Sequence, residues 1–468
     1  MLYISLDRSA KRTYTKQIYY AVRQKILRGE LAAGEALPPY RELSRELGVS
    51  KNTVLAAYDL LVADGVLRSA MGSGFYVEEG MKRRTARPQV RQRQASALFD
   101  LVIPEGVINF DNGQPALELF PRAKWNKAVS AAMLDIPVAA LGYDTPQGRP
   151  ELRQALCGYL QKNRGICCVP EQMLITSGAK QAISLAAECL LGQGGEAWME
   201  DPAPALLRQL LAYHTERIRA FPVDELGMDA ANFPADGKPA LMVVSPARQF
   251  PAGAVMPMKR RLALIEFAEQ ADAYVLEDNF ECEFNYDVPP AASLLELAPE
   301  RVISVGTFSK VLYPSVRLGY MIAPPELLPS LCEHKRLSDH HTNPVYQLAL
   351  ASFLSDGTLE KHVRRMKREY QARRDHLIAC LREQFGSGVS ISGGASGMNL
   401  IAAFDGVQFT DEKIRELLRC GVYAAPVERQ GGRTNELILR YAGLTKGELT
   451  LGVERLRAGI RPQGNLRR

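Results

Sequence analysis

From about Asn109 onward, short apolar runs alternate with helical stretches, and this alternation restricts the fold more than any other feature. "QMLITSG", "AWMED", "ALMVVSP", "AYVLED", "RVISVGT" and "RLGYMIA" are the strand candidates. The stretches between them are amphipathic, so successive strands need crossover helices and the sheet must be mostly parallel. Such a sheet is buried on both faces, and an apolar content of 46% supplies the core it requires. From Thr342 two or more helices follow, the second long, before strands return in "SGMNLIAAF" and "NELILRYA", with a helix start at "TDEKIRELL". The spacing predicts a large α/β domain over residues 109–332 and a small α+β domain over 333–468.

A chain of 468 residues exceeds one simple domain, and its front end reads differently. In residues 1–79, "YTKQIYYAVRQKILRG" predicts an amphipathic helix with Ile18, Val22 and Ile26 on one face. In "LPPYRELSRELGVSKNTVLAAYDLLVADGVLRSAMGSGFYV", a short helix, a turn at Gly48, a second helix capped by Ser50 and a two-stranded hairpin follow. Leu55, Tyr58, Leu61 and Val62 are the expected inner face. This is the order of a winged helix-turn-helix. Lys51, Asn52 and Thr53 open the second helix, where they can meet base edges or phosphates, and Arg41 is placed for a phosphate. A three-helix module for protein interaction is the alternative.

Charge sharpens the reading. Residues 1–79 carry 11 basic and 9 acidic side chains and residues 80–99 carry six basic and none acidic; against totals of 58 and 52, the rest is at −2. A near-neutral body behind a basic front points to a polyanion at the front. Residues 80–108 read as a basic linker. No run approaches the ~18 apolar residues of a membrane helix, and "MLYISLDRSAKR" lacks the apolar stretch of a signal peptide. The eight cysteines show no metal-ligand spacing. A cytoplasmic protein with reduced thiols and no metal is expected.

The body offers one set of chemical handles. Ser177, Gly178 and Ala179 stand where a strand becomes a helix, and backbone N–H groups in such a turn cradle a phosphate. "YVLED" ends in Glu277 and Asp278; "GTFSKVLYPSVR" brings Thr307, Ser309, Lys310 and Arg317. A phosphate, a basic ring nitrogen and an aldehyde would use all of these, and pyridoxal phosphate has those three parts. Asp278 and Lys310 end successive strands, on the crevice side of an open α/β sheet. A carboxylate beside the ring keeps its nitrogen protonated.

The front stretch resembles the DNA-binding domain of GntR-type bacterial regulators. By that resemblance Arg41, Lys51, Asn52, Thr53 and Gly74 contact double-stranded operator DNA. "NGQPALELFP", "LGYDTPQGRPELRQAL", "SPARQFPAG", "LEDNFECEF" and "GTFSKVLYPSVRLGY" make residues 109–455 resemble a fold type I aminotransferase. The domain order is that of the MocR/GabR subfamily. The resemblance implies a Schiff base at Lys310, Asp278 at the pyridine nitrogen, and a phosphate site from Ser177, Gly178, Ala179, Thr307, Ser309 and Arg317. It implies a homodimer in which Tyr143 reaches a phosphate across the interface, and it sets Gln249 near the cofactor's 3-hydroxyl.

Departures bear on activity. Where relatives often read "EDPGY", "EDDY" and "SHQFP", this chain has Ala203 and Pro204, Phe280, and Arg248. The stacking tyrosine and a phenol are lost, which a sensor tolerates better than a fast transaminase does. An effector carboxylate would be gripped by Arg440, with Arg248 and Arg429 as alternatives. The leading expectation is a transcriptional regulator that senses pyridoxal phosphate, an amine or an amino acid. The others are a working aminotransferase with a DNA-binding arm, and an interaction protein that kept only the fold.

Overall fold

The computed structural model describes residues 2–460 except 9, 11, 71–73, 80–102, 193 and 288–291. The expected basic linker, apart from residues 103–108, and the wing-tip residues Gly72 and Ser73 lie outside the described residues. The chain divides into two compact units, Met1–Val102 and Ile103–Arg468.

The first unit is built from α1 (Tyr14–Leu27), α2 (Tyr40–Leu47), α3 (Lys51–Ala63), β1 (Leu67–Ala70) and β2 (Gly74–Val77). Ile18, Val22 and Ile26 of α1 are all buried, as their spacing requires. Gly48 ends α2 at φ 65°, a left-handed conformation that suits glycine. Ser50 then caps α3 by accepting the Thr53 N–H at 3.2 Å. The inner face of α3 departs from expectation. Val54, Ala57, Tyr58 and Leu61 are buried, while Leu55 and Val62 are only half-buried. Tyr58 and Leu61 keep their expected places, and the Tyr58 hydroxyl donates to the Pro38 carbonyl at 3.0 Å. β1 and β2 form an antiparallel hairpin, with Leu67 opposite Val77.

The second unit begins with β3 (Ile108–Asn109). Its main sheet holds β4 (Met173–Thr176), β5 (Ala197–Asp201), β6 (Ile218–Asp224), β7 (Gly227–Met228), β8 (Leu241–Val244), β9 (Tyr274–Asp278), β10 (Val302–Thr307) and β11 (Gly319–Ile322). The order is β4-β11-β10-β9-β8-β5-β6-β7. Strands β6, β5, β8, β9 and β10 are parallel, and β11 runs antiparallel between β10 and β4. Alternate residues bury on opposite faces: Met173, Ile175, Met242 and Val244 enter one core, and Leu174, Leu241 and Val243 the other. The six strands expected from sequence are present. β6 and β7 were not expected. β6 contains Pro222 and lies next to the edge strand, and its Arg219, Pro222 and Asp224 are exposed, so it lacks a continuous apolar run.

Beyond the sheet, the helix Leu328–Asp339 buries Leu328 and Leu331 in the second core. The boundary expected at 332/333 therefore falls inside a helix that packs with the main sheet. The helices Pro344–Ser355 and Thr358–Phe385 follow, the latter 28 residues long. β12 (Val389–Ser392), β13 (Asn399–Phe404), β15 (Ala425–Pro426) and β16 (Glu436–Arg440) form an antiparallel sheet in the order β12-β13-β16-β15. β14 (Val422–Tyr423) pairs with β3. Among the described residues, no helix is long and apolar enough to cross a membrane.

Candidate cofactor site and nucleic-acid interface

The sheet register gathers the candidate residues at one edge. Gly319 opens β11 opposite both Thr176, which ends β4, and Thr307, which ends β10; Asp278, which ends β9, lies opposite Val305. Gly178, at φ 100°, begins the helix Ala179–Leu191. A Cβ at Gly319 would meet Gly178 Cα at 2.8 Å, so the strand approaches the turn that closely only as glycine. Arg317, itself at φ 50°, sets its guanidinium 3.4 Å from where a Gly178 Cβ would be. An arginine thus covers a turn of backbone N–H groups at a helix N-terminus, an arrangement that attracts an anion. Thr307 and Ser309 share a hydrogen bond of 3.2 Å between their hydroxyls.

Deeper in the cleft, Lys310 Nζ donates to the Gly113 carbonyl at 2.6 Å. Burial lowers its pKa, and Glu281 opposes the shift. Asp278 Oδ1 is buried with no hydrogen-bond partner. Burial pushes the Asp278 carboxyl up to about 7, with Glu281 adding to the rise and Lys310 opposing it. An orphaned buried oxygen is expensive unless a donor arrives. The residues fit pyridoxal phosphate on these grounds: an amine for the aldehyde, a carboxylate lacking its donor, and an anion-attracting turn. Gln249 donates to the Pro202 and Phe250 carbonyls at 2.6 and 2.8 Å, holding the ends of β5 and β8 together. Phe280 packs with Phe250, Ile401, Val427 and Ile438. Tyr143 is 85% exposed, its ring 5.0 Å from that of His340, and does not enter the cleft of its own chain.

The three arginines expected at an effector carboxylate separate. Arg440 comes to the site: its Nη1 and Lys310 Nζ lie 3.3 and 3.5 Å from the position a Gly113 Cβ would take. It also pairs with Asp111 at 3.3 Å and covers the Phe250 ring at 4.9 Å. Arg248 is committed elsewhere. It is 2% exposed, faces Glu281 at 3.4 Å and donates to the Ser396 and Asn399 carbonyls. Arg429 pairs with Asp411 at 3.0 Å on the surface. Sequence reasoning missed Glu281, which is 1% exposed and also accepts the Met398 N–H at 3.1 Å. The only signal was a second carboxylate inside the apolar run "FECEF".

On the first unit, Lys51 and Asn52 are exposed at the start of α3, and Arg41 is exposed on α2 beside Tyr40. Thr53 is different, because its hydroxyl bonds Ser50 Oγ at 2.8 Å and serves the cap. Gly74, at φ 108°, has open space where a Cβ would be. Arg8 and Arg12, not singled out from sequence, line a surface depression with Thr53.

Two family profiles match the chain: Aminotransferase class I and II over residues 105–456, and Bacterial regulatory proteins, gntR family, over residues 14–77. The chain is 31% identical to the probable rhizopine catabolism regulatory protein MocR of Rhizobium meliloti, over 97% of this chain and 95% of that protein. It is 32% identical to the HTH-type pyridoxine biosynthesis transcriptional regulator PdxR of Corynebacterium glutamicum, over 79% of each. Its fold matches that of LysN, the alpha-aminoadipate aminotransferase of Thermus thermophilus, complexed with N-(5'-phosphopyridoxyl)-L-leucine. That match has a TM-score of 0.71 and 27% identity, and covers 78% of this chain and 95% of that one.

Proposed function

The chain belongs to the aminotransferase class I and II family in its MocR-like form, with a gntR-type head, and from that premise we propose a transcriptional regulator that binds operator DNA and carries pyridoxal phosphate. The observation that carries the reading is the cleft in which Lys310 and the unpartnered Asp278 oxygen lie at the carboxyl ends of neighbouring strands. Bound pyridoxal phosphate supplies an aldehyde that takes up amines and a cationic ring that draws electrons from them.

The chain's own residues do the rest. Lys310, held by the Gly113 carbonyl, would receive the aldehyde, and its lowered pKa favours the neutral amine that this needs. Asp278 would accept a hydrogen bond from the protonated ring nitrogen, and a cation there stabilises its charged form. Ser177, Gly178, Ala179, Thr307, Ser309 and Arg317 would hold the phosphate. Gln249 and Phe280 would border the ring, and Arg440 would grip the carboxylate of an amino-acid effector. A partner subunit's Tyr143 would complete the phosphate site. Met133, Leu134, Val138 and Leu141 are exposed apolar residues near Tyr143 in sequence, and a homodimer would cover them. In the head (1–79), Arg41, Lys51, Asn52, Thr53 and Gly74 would meet the operator, and the linker (80–108) would join head to body in a cytoplasmic dimer.

Purified protein should gain a visible absorption band with pyridoxal phosphate and bind its own promoter region. Material that stays colourless with excess cofactor contradicts the proposal. A second reading, a working aminotransferase, is favoured by the pairing of Lys310 with Asp278 in one cleft. Sustained conversion of amino acids with 2-oxoglutarate would establish it, whereas a spectral change without turnover supports the sensor.

A further inference from the structure

Asp339 ends the helix Leu328–Asp339 and brings a carboxylate to the turn expected to hold a phosphate. Its Oδ2 accepts from the Gln181 amide at 2.7 Å and from the Ser177 hydroxyl at 3.3 Å. Its Oδ1 accepts from Lys335 Nζ at 2.7 Å, and that ammonium also reaches Gln181 Oε1 at 3.2 Å. Gln181 Oε1 in turn takes the Ser177 backbone N–H at 2.7 Å. Both donors of Ser177 are therefore engaged within the chain. Lys335 is fully buried, with a side-chain exposure of 0%, and a buried ammonium needs a counter-charge. Asp339 supplies it.

We propose that Asp339 is a resident anion of the phosphate cradle, which holds the Ser177 hydroxyl and makes the cofactor's phosphate compete for it. Lys335 is the cation that lets a carboxylate stay at an anion site. This rests on the reading that the turn 177–179 takes the phosphate. It weakens cofactor binding, because a negative charge persists beside the phosphate and one donor must be won from it. Weakened binding suits a receptor, whose occupancy has to follow the supply of its ligand, and not an enzyme that keeps its cofactor. A purely orienting role, with Asp339 aiming Ser177 at the phosphate, has the opposite sign.

The experiment titrates cofactor-stripped, full-length protein with pyridoxal phosphate and with pyridoxal, followed by absorbance. Asp339→Asn should bind pyridoxal phosphate about tenfold more tightly, and Lys335→Met about tenfold more weakly, with pyridoxal affinity unchanged in both. Unchanged or weaker binding of pyridoxal phosphate by Asp339→Asn overturns the proposal. Ser177→Ala gives an independent arm that leaves the Lys335–Asp339 pair intact. A contested hydroxyl should cost less than about threefold when removed, and a loss of about tenfold or more contradicts the contest. Arg317→Ala separates the two levels of the argument. If it weakens pyridoxal phosphate but not pyridoxal while Asp339→Asn fails to tighten, the proposal alone falls. If it alters neither, the phosphate assignment falls and the proposal with it.

Discussion

Lys51 and Asn52 stand exposed on the first turn of α3, while the head's fold rests on other residues of that helix, Val54, Ala57, Tyr58 and Leu61. In the body, Lys310 and Asp278 are drawn into the cleft, and their pKa values are moved by burial, by Glu281 and by one another. On the proposed assignments, the head separates Lys51 and Asn52 from the residues that fold it, and the body superimposes the two roles. Substitutions of Lys51 and Asn52 should change affinity alone. Substitutions in the cleft should change affinity and stability together, and in opposite directions, because buried unpaired charge destabilises the protein that holds it.

The largest expected effect is that of Lys310→Ala, which should abolish the visible cofactor band while leaving the operator affinity of cofactor-free protein within about twofold, since Lys310 and the head belong to separate compact units with their own cores. Loss of DNA binding through unfolding would break the separation. Asp278→Asn comes next. The folded carboxyl titrates at about 7, above its ordinary value of about 4, so the folded protein holds a proton that the unfolded chain has released. The stability this lends is complete below about pH 4 and is lost as pH rises through 7. Cofactor-free Asp278→Asn should therefore exceed the wild type in stability above pH 7, by about 2–4 kcal/mol, and match it near pH 4. Its affinity for pyridoxal phosphate should fall. Denaturant unfolding at both pH values and a cofactor titration would check the pair of effects.

Asn52→Ala should weaken operator binding by about 1–3 kcal/mol in an electrophoretic or fluorescence assay, if the side chain reads a base edge, with the melting temperature of the head unchanged. Smallest is Ser50→Ala, which removes the α3 cap and should cost about 1 kcal/mol of stability in the head. It shows what a purely structural change in the head looks like beside Asn52→Ala.

Legibility followed the same divide. Periodicity alone marked α1, the six continuous apolar strands and the placing of Lys310 and Asp278 at strand ends, because each buries a run that water rejects. It missed β6, whose Arg219, Pro222 and Asp224 are exposed and interrupt any such run. On α3 it placed Tyr58 and Leu61 inward as found, but took Leu55 and Val62 for the buried Val54 and Ala57. In the site, residues set by strand ends were readable. Arg248 was not, because its seat depends on Gly397, where a Cβ would overlap the guanidinium, and on Glu281, 33 residues onward in the chain. Long-range pairs of buried charge leave no local period, and the same holds for the contact of Asp339 with Gln181, 158 residues away, although Lys335 and Asp339 themselves stand at a local i,i+4 spacing.

If the body is the receiver in the proposed regulator, cofactor bound there changes how the head binds DNA. Footprinting the full-length protein on its own promoter, cofactor-free and saturated with pyridoxal phosphate at equal protein concentration, tests it most directly. The account predicts that the two states protect different stretches of DNA or bind with different affinity, and that Lys310→Ala loses the difference. Identical footprints and affinities in both states of the wild-type protein would contradict it.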